Sequence, residues 1–190
     1  MKYPCTFRKY GCKEKFSPGQ IASHHASCRF SPQVCPLEKL RKVKCDWTGS
    51  VGEIKKHLKD EHKEQCLEYT GRHSLVLCGV KPTCGYFRVI FAHNEIFYRH
   101  FQIRNGALYA TLQYIGPSEN AAKFRYKVIF VNKANTECIT FSQAARGISE
   151  NLEDIFNSGN CVKLHYDIAS RFVNDNEDLY IGMEIFKMGH

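Results

Sequence analysis

Long apolar runs are missing from this 190-residue chain. None approaches the ~20 residues of a bilayer-spanning helix, so no membrane partner is expected. An export signal is missing as well: Met1-Lys2-Tyr3-Pro4-Cys5 runs straight into the first Cys with no apolar stretch between. The expectation is a soluble chain in the cytoplasm, the nucleus or both. In that reducing setting a Cys/His pattern points to metal rather than to disulfides. Catalytic signatures are also wanting. There is no Gly-rich phosphate loop, no Ser/His/Asp grouping and no convincing carboxylate pair, and tryptophan is reduced to Trp47. No residue is assigned a catalytic role.

Acidic residues are scarce at one end. Residues 1–65 hold 14 Lys/Arg against 7 Asp/Glu, a balance of +7, whereas residues 66–190 hold 13 against 12. The densest basic piece is Lys39-Leu40-Arg41-Lys42-Val43-Lys44. Such a run could meet phosphate or an acidic protein surface, or simply keep a small module solvated.

What the first third does have is metal ligands, in two sets of four: Cys5, Cys12, His24, Cys28 and then Cys35, Cys45, His57, His62. Their core spacing repeats, as Cys12-x11-His24-x3-Cys28 and Cys45-x11-His57-x4-His62. Four Cys/His ligands fill a tetrahedral Zn²⁺ shell and leave no open position for an activated water. Two structural zinc ions per chain are predicted. Each set carries a helix start at the matching place, Ser17-Pro18-Gly19-Gln20 and Ser50-Val51-Gly52-Glu53. His24 and Cys28, four apart, share a helical face. His57 and His62, five apart, require the second helix to loosen near its end. The shared x11 spacing favours His24 over His25, and Asp60 and Glu61 read as solvated charges.

Five Cys lie outside the sets, far apart and without a paired His, whereas a catalytic thiol needs a base and an electropositive niche. Cys78 and Cys161 fall in apolar strand-like runs, where Cys acts as a small hydrophobe.

From about residue 74 the pattern becomes one of short β-type runs: 74–80, 86–91, 97–104, 107–115, 124–131, 137–141, 161–167 and 179–186. Asn105-Gly106 is a type I′ hairpin signal. One helix interrupts the strands, with Ser149 as its N-cap and Leu152, Ile155 and Phe156 at helical spacing; a shorter turn is expected over 168–173. The reading is mainly β: two small structural zinc fingers over 1–65, then an antiparallel β-sandwich with one or two short helices over 66–190.

Taken together, these motifs resemble the C-terminal region of the seven-in-absentia (Siah-type) ubiquitin ligases. The first set is similar ligand for ligand. The second is similar at Cys35-Pro36, at Cys45-Asp46-Trp47-Thr48-Gly49, and at His57 with His62. In the sandwich, Leu112-Gln113-Tyr114-Ile115-Gly116, Ser158-Gly159-Asn160-Cys161 and Ile168-Ala169-Ser170-Arg171-Phe172 resemble family segments. The resemblance implies a TRAF-like sandwich that binds protein substrates or degron peptides and forms a homodimer, with 161–167 and 179–186 contributing. It also implies a peptide edge over 67–77, for which Leu67, Tyr69 and His73 are the candidates.

Three departures accompany it. The family's N-terminal RING has no counterpart here, the Cys35–Cys45 loop is longer and basic, and the stretch from Val80 to Cys84 is short, without the family's Trp and Met. The 97–104 run reads as an addition that could rebuild that edge. Three roles stay open: an adaptor or decoy that pairs with a Siah-type ligase subunit, a fragment of a complete RING ligase, and a nucleic-acid-binding zinc protein. The Cys-x6-Cys and Cys-x9-Cys spacings argue against the last.

Overall fold

The computed structural model describes residues 1–39, 43–132 and 134–189. Leu40, Arg41 and Lys42 of the basic run lie outside them.

The chain opens with two ββα units. In the first, β1 (Tyr3–Pro4) pairs with β2 (Lys15–Phe16) and leads into α1 (Pro18–Ser27). In the second, β3 (Gln33–Val34) pairs with β4 (Thr48–Gly49) and leads into α2 (Val51–Glu61). Both helix starts obey the sequence signal. Ser17 sits at the N-cap with Pro18 behind it, and its hydroxyl donates to Gln20 Oε1 at 2.8 Å. The Glu53 carboxylate accepts from the Ser50 N–H at 3.0 Å and from its hydroxyl at 2.7 Å, and these bonds hold the carboxyl below its ordinary pKa. α2 ends at Glu61, and His62 leaves helical geometry with φ −132° and ψ 33°. That is the loosening the x4 spacing requires.

The remainder forms two facing sheets. The strands are β5 (Cys66–Glu68), β6 (His73–Leu77), β7 (Cys84–Ala92), β8 (Glu95–Arg104), β9 (Ala107–Tyr114), β10 (Phe124–Val131), β11 (Cys138–Ala144), β12 (Arg146–Gly147), β13 (Val162–His165) and β14 (Leu179–Lys187). One sheet runs β11-β10-β14-β6. The other runs β12-β9-β8-β7-β5, with β13 also on β9. The pairs within the first sheet and the β7-β8-β9 meander are antiparallel, while β5 on β7 and β12 on β9 are parallel. Alternation puts Phe97, Phe101, Leu108, Leu112, Tyr126, Phe130, Leu179 and Ile181 between the sheets, each at most 1% exposed. Two short helices complete the domain, α3 (Leu152–Asn157) and α4 (Tyr166–Ala169).

Several expectations need correction. β8 is an interior strand between β7 and β9, so the 97–104 run does not rebuild an edge. α3 starts from Asn151, whose side chain accepts from Glu153 N–H at 2.8 Å; Ser149 instead bonds the Ser118 hydroxyl at 3.0 Å. The 161–167 strand stops at His165, where α4 begins. Cys161 is buried as a small hydrophobe, but Cys78 is exposed beyond the end of β6.

Candidate metal centres

The structure brings each predicted set together. The ligand atoms of Cys5, Cys12, His24 and Cys28 lie within 4.8 Å of one another, and so do those of Cys35, Cys45, His57 and His62. Local folding explains the convergence. In each unit the β-hairpin carries or flanks the Cys pair, while the helix carries the third ligand and ends at the fourth. Cys28 is the C-cap residue of α1, and His62 that of α2.

The spacing fits zinc. Bond lengths of ~2.3 Å to sulfur and ~2.0–2.1 Å to nitrogen in a tetrahedron place S and N about 3.6 Å apart and two S atoms about 3.8 Å apart. Here Cys12 Sγ is 3.5 Å from His24 Nε2, Cys45 Sγ is 3.5 Å from His57 Nε2, and Cys5 Sγ is 3.9 Å from Cys28 Sγ. His62 Nε2 is buried without a hydrogen-bond partner among the described residues, as a ring nitrogen directed at a cation would be. Burial, together with the neighbouring thiols, pushes the Cys28 and Cys35 thiols up to about 11. A divalent cation reverses that balance and holds both as thiolates. Burial and the neighbouring His62 lower the His57 pKa, which keeps the ring neutral as ligation demands. These sets accommodate two structural zinc ions, with each shell filled by protein.

His25 stands aside, its Nε2 3.2 Å from Thr6 Oγ1. Two aromatic residues that spacing alone did not single out orient the ligands. Phe16 stacks on His24 at 4.0 Å between centroids, and Trp47 on His57 at 4.4 Å with only 4° between the rings. Gly49 makes room for the indole, since a Cβ there would sit 2.5 Å from Trp47. The Trp47-x-Gly49 pair is thus a support for one ligand.

The two centres differ in their surroundings. α1 buries none of its residues, and among the described residues the first cluster packs only Phe7 and Phe30 against Cys5, Cys12 and Cys28. A cleft of about 720 Å³, lined in part by Phe30, Pro117 and Asn120, lies between this finger and the 117–120 segment. The second finger shares a core with the sandwich. Cys35, Leu37, Ile54 and Leu58 pack with Val89, Phe91, Ile96, Tyr98 and Ile115 on the outer face of the larger sheet. Lys59 pairs with Glu68, and the Lys55 and Lys59 ammonium groups lie 5.4 and 5.1 Å from the Phe91 ring centre. Packing therefore crosses the expected boundary between residues 65 and 66.

The candidate peptide residues lie on a segment that supplies an end strand to each sheet, β5 to the larger and β6 to the smaller. Leu67 and His73 are half-buried. Tyr69 turns inward instead: it is 8% exposed, and its hydroxyl donates to the Met183 carbonyl. It ties the crossover to the opposite sheet and offers no side-chain surface to a ligand.

Comparison with known proteins agrees with this geometry. Residues 1–74 match the family description "Sina, zinc finger", and residues 90–183 match "Sina, TRAF-like domain". The chain is 23% identical over 198 residues to E3 ubiquitin-protein ligase sina of Drosophila melanogaster, an alignment covering 97% of this chain and 59% of that one. It is 33% identical over 73 residues to E3 ubiquitin-protein ligase SINA-like 10 of Arabidopsis thaliana, covering 38% of this chain and 20% of the relative. With SINAT2 of the same plant, also named an E3 ubiquitin-protein ligase, it shares 28% identity over 136 residues, covering 67% and 43%. The chain belongs to the Sina family, of which it carries the zinc-finger and TRAF-like domains. It spans 59% or less of the length of each of these relatives.

Proposed function

We propose that these 190 residues are a substrate-recognition module of the Sina-type ubiquitin ligase system. The module binds protein partners and presents them for ubiquitin-dependent degradation. Its zinc ions hold the fold and its TRAF-like sandwich does the binding. The observation that carries this reading is the 66–77 segment, which contributes the end strand of both sheets within a dozen residues. An extended peptide can add to such an edge through its backbone, with alternate side chains entering the sheet gap. Leu67 and His73 flank that edge. In this reading the transfer chemistry belongs to a RING, on the same polypeptide or on a partner subunit, and the module works in the cytoplasm, the nucleus or both.

Self-association through the sandwich is part of the proposal. β14 turns Leu179, Ile181, Met183 and Ile185 into the core, so a dimer would use its outward residues. Tyr180 is 52% exposed and stands in register with Val76, 41% exposed, on the outer face.

The test is capture of peptides from a tiled library of ubiquitinated proteins by the immobilised chain. Leu67→Asp and His73→Asp are expected to abolish capture while both zinc ions are retained. Capture that survives both changes would move the binding surface elsewhere.

A further inference from the structure

Two arginines face each other where the sandwich should be apolar. Arg88 on β7 and Arg99 on β8 are direct cross-strand partners. Both belong to the inward rows: Arg99 lies between Phe97 and Phe101, and Arg88 between Tyr86 and Ile90, all four packed in the inter-sheet core. Arg99 is only 5% exposed, and its Nε and Nη1 are buried without a hydrogen-bond partner. Its guanidinium has the Phe101 ring at 5.5 Å as company. Arg88 is half-buried and spends Nη1 on its neighbour's carbonyl, Phe87 O, at 2.8 Å.

Among the described residues, no acid pairs with either. Glu184 is engaged by Arg72 and Lys127, and Glu95 accepts from the Tyr114 hydroxyl. Burial and the Arg88 charge push Arg99 down to about 10, which leaves it cationic at neutral pH. Like charges directly opposite on a sheet repel, and a buried charge without a partner is costly. The arrangement calls for an anion.

The surroundings indicate which one. Cys66 and Leu67 of the end strand β5 pair with Val89 and Ile90 of β7, so Arg88 stands beside the start of β5 and the pair lies next to the proposed peptide edge. A peptide strand added there would send alternate side chains into the sheet gap. Two guanidinium forks match the planar carboxylate. We propose that Arg88 and Arg99 form an anion-reading notch that takes the carboxylate of an Asp or Glu in a bound partner peptide. This rests on the recognition reading above and adds an acidic position to the peptide it selects.

The notch can be tested without any peptide strand. The probe is N-acetylglutamate methylamide, with the glutamine analogue and inorganic phosphate as controls, titrated into the zinc-loaded chain while the Arg99 Nε–H NMR signal is followed. The glutamate probe is expected to shift that signal saturably, and the glutamine analogue to leave it in place. Arg88→Gln should weaken the probe about tenfold or more. Arg99→Met should abolish binding and raise Tm, because an unpaired buried charge is removed. No shift with glutamate, equal shifts with glutamine, or a shift with phosphate alone would overturn the notch. So would a lowered Tm in Arg99→Met combined with unchanged probe binding in Arg88→Gln, which would make the pair packing residues. Because the probe carries a single residue between two caps, too little backbone to add as a strand, failure here leaves the peptide-capture result to stand or fall by itself.

Discussion

The first finger keeps its core to itself, and the second lends its core to the sandwich. Their ligand spacings and helix starts are close to identical, so the difference arises from what each helix carries besides ligands. α1 is Pro18-Gly19-Gln20-Ile21-Ala22-Ser23-His24-His25-Ala26-Ser27, with no large apolar side chain beyond Ile21 and no buried residue. α2 places Ile54 and Leu58 four apart on one face, each 0% exposed, and both belong to one buried cluster with Val89, Phe91 and Tyr98. One metal thus closes a self-contained module. The other metal closes a module whose apolar face is part of a larger core.

The sharpest break of that comparison comes from removing one ligand from each finger. Cys45→Ser should release the second zinc, free α2 and strip apolar cover from the larger sheet, a loss on the order of 5 kcal/mol for a few fully buried side chains. Cys12→Ser should release one zinc and leave the sandwich melting transition where it was. Calorimetry on the two variants checks this. Equal effects would mean that both fingers are coupled to the sandwich, or that neither is.

A smaller effect is expected from the packing alone. Leu58→Ala leaves the ligands in place and should cost about 2–5 kcal/mol in the sandwich transition. Phe30→Ala should lower only the stability of the first finger. Chemical denaturation followed separately by zinc release and by sandwich fluorescence or circular dichroism distinguishes the two. Next in size is the ligand support. Gly49→Ala would drive a Cβ into Trp47, disturb its stack on His57, and weaken the second zinc about tenfold or more. Competition with a chromogenic chelator measures it, and the first zinc should not respond.

The smallest effect concerns protons. The first set has three thiols and one imidazole, the second two thiols and two imidazoles. Near pH 7.5 the unfolded thiols are largely protonated, so zinc binding should expel about three protons at the first site and about two at the second. Between about pH 8 and 7 both affinities should therefore fall as pH falls, more steeply at the first site; below the imidazole range each site displaces about four protons and the slopes converge. Titration calorimetry in buffers of different ionisation enthalpy gives the two counts.

Much of this was readable from residue order. The ligand sets, the helix starts and the Asn105-Gly106 turn each depend on local spacing, and local spacing is what a sequence displays. The turn has both residues at positive φ, 48° and 70°, as Asn-Gly allows. The neighbouring turn, His93-Asn94, adopts φ 52° and 61° without a glycine, so nothing announced that β7 and β8 form a hairpin. That is why 97–104 read as an added edge although it is an interior strand. β5 escaped notice because three residues in parallel pairing leave no periodic signal. Arg99 lay hidden for another reason. In Ile96-Phe97-Tyr98-Arg99-His100-Phe101 both faces are apolar or aromatic, because α2 covers one and the second sheet covers the other, and the alternation that marks an inward charge is erased.

The most direct test of the unequal fingers is amide hydrogen exchange, read by mass spectrometry, on the zinc-loaded chain and on Cys12→Ser and Cys45→Ser. Loss of the second zinc is predicted to raise exchange in β7, β8 and β9, and loss of the first to raise it only within residues 1–31. Unchanged protection of β7–β9 in Cys45→Ser would contradict the shared core.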